Sequence, residues 1–320
     1  LNNVVADGQY CRDNGYVVSN NCGTTSFTNT TIKAPKTGQH AFDSCYFKTY
    51  AIPTVTVNDG CSIEGNIENT GGNISINGGS FTTSNATSMQ CVLDSIATDK
   101  SAGIKLSSDV TGYVSVKAGT EAKIDLNGHS ITGGTDAAEA SPYDQNPTVK
   151  NAGKLTINGS GEVKAVRTAD SAVYNTNTGT ATLNGGTYKA AHWYILRNEG
   201  NMTINSGVKA SNLENNTYSA EATTILNGVT SHGGQGTATA HMTINGGDFA
   251  GYYNVIKNGD HYADLTVNGG TFTVPEYNAP AGSTQITKLN VINNYNDCTV
   301  TIHGGTFLNV PKNALDHVLA

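Results

Sequence analysis

Acid–base catalysis on a sugar or a similar substrate needs carboxylates about 5–10 Å apart, or a basic side chain beside them. In a chain built of stacked repeats, such a cluster would show as acids at equal positions in successive copies. A repeat runs through this chain, but its acids do not follow that rule. Asp125 is the only acid in its outward-facing column. Asp248 stands alone three residues after its anchor asparagine, and Glu199 and Asp297 share a column several copies apart. The three arginines, Arg12, Arg167 and Arg197, do not converge. The segment DAAEASPYD, from Asp136 to Asp144, holds three acids and reads as a solvated insertion, with a calcium or substrate site as the alternative. Cysteine and histidine spacings of the zinc kind are absent, as are nucleophile motifs and phosphate-binding loops. No catalytic residue, metal ligand or cofactor is assigned.

One constellation suits binding. The segments AHWYILRN (Ala191 to Asn198) and AGYYNVIKN (Ala250 to Asn258) align on their second asparagine. The alignment puts Trp193 with Tyr253, His192 with Tyr252 and Arg197 with Lys257. Flat rings stack on the apolar faces of sugars, and basic or amide donors take their hydroxyls. Trp193, Tyr194, Arg197, Tyr252, Tyr253 and Lys257 are therefore the candidate glycan-binding residues. The alternative is that these rings pack beneath a loop, since the alignment leaves two coils between the segments.

Five of the six cysteines fall before residue 92. That clustering points to an oxidising compartment and a stapled N-terminal region. Cys11–Cys22 and Cys45–Cys61 are the expected pairs, with connectivity open. Cys91 and Cys298 remain. At about 4.8 Å per coil they would lie some 40 Å apart, far beyond disulfide reach. Cys298 takes a position filled elsewhere by glycine or alanine, so it is expected as a buried thiol. A bond from Cys298 to an N-terminal cysteine of the next subunit is the alternative.

The elements that must position these residues come from one phrase written many times: ISINGGSFTT, ATLNGGTYKA, MTINGGDFAG, LTVNGGTFTV, VTIHGGTFLN. Its anchor asparagines are Asn58, Asn77, Asn127, Asn158, Asn184, Asn205, Asn227, Asn245 and Asn268, with His303 in the last copy. One residue before the anchor is aliphatic, three before it is apolar in most copies, and five before it is small. Threonine or another polar residue lies between. This is period-two alternation, so each copy is a strand with one buried face. The Asn-Gly-Gly that follows is a corner, and a large apolar residue such as Phe272 comes next. A second phrase, as in TVKNAG, ILRNEG and VIKNGD, adds another short strand. No unit shows a helical period. Such units cannot bury an apolar face alone, but a stack of them can, and uneven spacing is absorbed as loops at the corners.

This pattern resembles the right-handed parallel β-helix of the pectate-lyase-like superfamily. More narrowly, it resembles the NxGxLTINGGTF repeats of bacterial cell-surface proteins. The expected fold is all-β, a single right-handed parallel β-helix (β-solenoid) of about eleven coils. Residues 1–54, which lack the phrase, are expected as an N-terminal cysteine-containing cap or small subdomain. Residues 55–310 form the solenoid, and 311–320 a C-terminal cap segment.

Charged residues make up 13% of the chain, with 18 Lys and Arg against 25 Asp and Glu, and no basic run. Nucleic acid is therefore a poor partner, and no apolar run spans a bilayer. The absence of an initial Met fits a removed signal peptide or a trimmed chain, and the composition fits a secreted protein. The functional expectation is a non-catalytic extracellular structural or adhesive solenoid, displayed at a cell surface or stacked head to tail as a filament subunit. Its partners would be other copies of itself or glycans. The alternatives are a polysaccharide lyase or glycoside hydrolase of the β-helix type, and a pure glycan-binding module.

Overall fold

The computed structural model describes residues 1–12, 14–134, 146–167, 170–190, 194–212, 223–229, 238–251, 254–259, 261–274, 290–295 and 297–308. Among them, most strands lie against the strand two or three further along the chain, and every named strand pairing is parallel. The result is a parallel β-helix. One wall is an 18-stranded sheet. A second is a seven-stranded sheet from Val114–Val116 to Asn290–Asn294. Two three-stranded sheets complete the N-terminal coils.

The phrase behaves as its pattern implies. Ile124, Ile157, Leu183, Ile204, Ile244, Val267 and Ile302 lie over one another in register. The first six are completely buried. The intervening threonines, Thr156, Thr182, Thr203, Thr243 and Thr266, stack on the opposite face and stay partly exposed. After the corner, Phe249, Phe272 and Phe307 stack with ring centroids 5.3 and 5.2 Å apart. The small position has a steric cause. A Cβ on Gly200 would stand 2.3 Å from the carbonyl oxygen of Gly179 and 2.4 Å from that of Thr176.

Two asparagine ladders run along the stack, because parallel rungs about 4.8 Å apart let one side-chain amide reach the next. At the exposed corner the Nδ2 groups of Asn184, Asn205, Asn245 and Asn268 donate to the Oδ1 of the preceding rung at 2.8, 2.6, 2.9 and 2.8 Å. The second ladder is buried. Asn151, Asn175, Asn198, Asn227 and Asn258 donate to the following rung, ending on Asn294, at 2.7–2.9 Å.

The register corrects two anchors. Asp125, not Asn127, lies beside Asn158. Asn227 lies between Asn198 and Asn258 in the buried ladder, not in the exposed one. The second slip arises because two asparagine-ended strands look alike locally and only the neighbouring coil tells them apart.

Residues 1–54 are not set apart from the stack. Val5–Asp7, Tyr16–Asn20 and Thr24–Phe27 make a first coil. They pair in parallel with Thr31–Lys33, His40–Cys45 and Thr54–Val57 of the next. The buried residues Phe27, Ile32 and Phe42 belong to the same core as the later coils. Residues 311–320 lie outside the described residues.

The structure also contains a helix, Ala86–Ser95, where no helical period was expected. Asn85 caps it, its Oδ1 accepting from the Ser88 amide at 2.8 Å. Met89, Val92, Leu93 and the following Ile96 are buried. Their spacing of three, one and three is a helical stripe. The helix packs on Asn66–Thr70 and takes the place of a strand in that wall.

Candidate functional site

The outward face of the large sheet carries a polar groove over its N-terminal coils, with a volume of about 800 Å³. Strand alternation builds its floor. Ile32, Ile63, Phe81, Ile104 and Ile124 point into the core. Their neighbours Lys33, Glu64, Thr82, Lys105 and Asp125 therefore form one outward column in register. Lys123 lies in the next column, and Lys36 stands on the turn that borders the groove. Serine hydroxyls from Ser62, Ser80, Ser84 and Ser107 fill the spaces. Four lysines against two carboxylates reverse the sign of the whole chain, whose net charge is −7. Lys123 also lies 3.3 Å from Glu121, which Lys154 holds below the usual carboxylate range at 3.0 Å. Nothing in the repeat phrase marks this groove, because its lysines come from copies in which the phrase has decayed.

A second cluster lies on the outer face of the Tyr16–Asn20, His40–Cys45 and Asn66–Thr70 strands. Here Ser19, Asp43 and Glu68 share a column, so two acids do occupy equal positions in successive coils. The sequence reading missed the pair because Asp43 lay in the segment assigned to a cap. The Tyr16 hydroxyl donates to Glu68 at 2.5 Å, and the His40 ring lies 5.0 Å from that of Tyr16 and 3.8 Å from Glu68. The hydrogen bond to Glu68 pushes the Tyr16 hydroxyl far above its ordinary pKa. Asp43 is 5% exposed, and its Oδ1 is buried without a hydrogen-bond partner. Burial raises its pKa, and hydrogen bonds from Ser19 and the Asn20 amide offset part of the rise.

That shift has a sign. A carboxyl whose folded pKa is raised contributes most below its unfolded pKa, and the contribution is lost as pH rises through the folded value. Ionised Asp43 therefore destabilises the fold at neutral pH. Asp43→Asn is expected to raise the thermal midpoint at pH 7 and to leave it nearly unchanged at about pH 3. A variant less stable at both pH values would show that the hydrogen bonds outweigh the buried charge.

No family model, curated protein or solved structure matches the chain. The site must therefore be read from its own residues.

The expected aromatic and basic surface is placed differently from its prediction. Arg197 and Lys257 do share a column, with the single residue Leu226 between them rather than two coils. Both are buried, at 7% and 8% exposure, and Tyr194 at 3%. The Arg197 guanidinium bonds Glu199 at 3.0 and 2.5 Å and lies 4.4 Å from the Tyr174 ring centre. The Lys257 ammonium lies 5.1 Å from the Tyr295 ring centre. Both cations are engaged within the chain. Trp193, Tyr252 and Tyr253 lie outside the described residues, as does the Asp136–Asp144 segment.

Among the described residues no disulfide is formed in this structure. Cys298 is buried, at 7% exposure. Burial pushes the Cys91 thiol up to about 11, which suppresses its thiolate at neutral pH. Among the described residues no group of three or more His, Cys, Asp or Glu is placed to hold a metal ion. Among the described residues no helix is long and apolar enough to cross a membrane.

Proposed function

We propose that this chain is a non-catalytic, extracellular structural and adhesive rod, and that the lysine-lined groove is its adhesive site. The observation that carries the reading is the groove itself. Ammonium groups and hydroxyls stand at fixed rungs of one parallel sheet. Such a surface suits an extended, anionic polysaccharide better than a compact substrate, since charged donors recur along it while no wall closes over it. The likeness of the repeat phrase to bacterial cell-surface repeats supports display outside a cell. Stacking head to tail into a filament is a second form of the same reading.

Binding to heparin (sulfated), polygalacturonate (carboxylated) and neutral dextran tests the adhesive site. The two anionic polymers are expected to bind and dextran not to bind, with affinity falling as salt rises. Lys33→Gln with Lys105→Gln is expected to cost about 1–2 kcal/mol in total, or roughly five- to thirty-fold in Kd. Unchanged binding in the double variant, or equal binding of dextran, would remove the reading. Negative-stain images separate its two forms: single short rods favour surface display, and long fibres one coil-stack wide favour the filament.

Glycoside hydrolysis is the second reading, and the Asp43–Glu68 pair favours it. Two carboxyl groups side by side, one with its pKa raised by burial, are an arrangement such chemistry uses. Against it, Asp43 Oδ1 is shut off from solvent and would have to be uncovered before it could protonate a substrate. Release of reducing ends by the native chain, lost in Glu68→Gln, would establish hydrolysis and displace the adhesive reading.

A further inference from the structure

We propose that Cys22 and Cys45 are the cysteines that pair, forming a disulfide that staples the first coil to the second. The inference is independent of the adhesive reading. It follows from where the strands put the four N-terminal thiols. Cys11 lies at the corner before the Tyr16–Asn20 strand: its amide bonds the Gly8 carbonyl at 2.7 Å, and the nearby Asn14 amide bonds Gln39, just before His40. Cys22 lies at the corner after that strand. A whole strand of about 3.3 Å per residue therefore separates Cys11 from Cys22. Cys45 and Cys61 are likewise divided by the Thr54–Val57 strand, and Cys61 is buried in the core. Neither pair expected from spacing fits this geometry.

Cys22 and Cys45 share one corner. Asn20 lies beside Ser44 in register, so Cys22 is two residues past the rung and Cys45 one. The turn around Cys22 is held against the second coil. Asn20 Nδ2 donates to the Thr54 carbonyl at 3.1 Å, and the Thr54 amide to the Gly23 carbonyl at 2.8 Å. Neighbouring rungs lie about 4.8 Å apart, and a disulfide spans Cα atoms up to about 7 Å apart. Cys22 is exposed and Cys45 half-buried. Closing the bond would tie down the coil whose strands pair on one side only, the place where fraying starts.

The oxidant is a small-molecule disulfide such as oxidised glutathione. The Cys22 thiolate attacks one of its sulfurs, breaking that S–S bond and releasing one glutathione thiolate. The Cys45 thiolate then attacks the Cys22 sulfur of the mixed disulfide and releases the second. The two protons from the cysteines end on the two glutathione thiols.

The test is to incubate the reduced full chain with oxidised glutathione, alkylate the remaining thiols after unfolding, and map tryptic peptides by mass spectrometry. Cys22 and Cys45 are the only cysteines in their peptides, residues 13–33 and 37–48. The expected product joins these two peptides and is two hydrogens lighter than their sum. The joined species should disappear in Cys22→Ser, and the oxidised native chain should melt above the reduced one. Recovery of Cys22 joined to Cys11, of Cys45 joined to Cys61, or of both alkylated or glutathionylated, would overturn the proposal. So would an equal melting temperature for the reduced and cross-linked chains, since the bond would then staple nothing.

Discussion

Asn175→Leu is expected to destabilise the chain by about 3–5 kcal/mol, because it orphans several buried groups at once. Asn175 accepts from Asn151 at 2.7 Å. Its own Nδ2 donates to Asn198 at 2.8 Å and to the carbonyls of Gly179 and Asn201 at 3.1 and 3.0 Å. Leucine fills the volume but offers nothing to these partners, and water has no route to a residue with 0% exposure. Each buried group left unpaired costs about 1–3 kcal/mol, reduced here because Asn151 Nδ2 keeps its bonds to the Gly153 and Thr180 carbonyls. Asn184→Leu is the control. Asn184 makes the same ladder contacts, accepting at 2.6 Å and donating at 2.8 Å, but at an exposed corner where water replaces them. It should cost less than about 1 kcal/mol. Thermal or urea unfolding of the two variants reads the difference. Equal losses would show that the buried ladder is no more than a by-product of stacking.

Glu199→Ala is expected to lose about 3–5 kcal/mol, since it strands the Arg197 charge in a buried site. Glu199 is 1% exposed, and the pair is closed at 2.5 Å. Arg197→Met with Glu199→Gln should lose much less than Glu199→Ala alone, because a buried pair gives back in attraction little more than its desolvation costs. Arg197→Met and Glu199→Gln made singly, the double variant and the native chain make a thermodynamic cycle in urea. Additive losses would mean that the two side chains do not act as a unit. The cycle also bears on the sugar-surface expectation: an Arg197 that recognised an external ligand would be nearly silent in unfolding.

Much of the fold was legible because its signal is local. Alternation at Leu155, Ile157 and Thr156 is a property of one strand, and the glycine before it marks a backbone approach that any side chain would block. The helix at Ala86–Ser95 was equally local, in the spacing of Met89, Val92, Leu93 and Ile96, but the regularity of the surrounding repeat hid it. The site was far less legible. Arg197 and Lys257 were correctly placed in one column, yet their exposure depends on what lies over that face, which alternation does not state. Asp43 and Glu68 became a pair only when residues 1–54 joined the stack.

The sequence by itself determined that this chain builds a parallel stack of strands, which residues face its core, and that amide side chains repeat along it. These follow from the two-residue period of a strand and from the steric demands of its corners. Only the tertiary structure decided which coil lies against which, and with it the true ladders, the lysine groove, the buried Arg197–Glu199 pair and the corner shared by Cys22 and Cys45. Each of these joins residues some 20 or more positions apart or depends on burial. Register between coils is set by loop lengths and core packing together, not by any one stretch of chain.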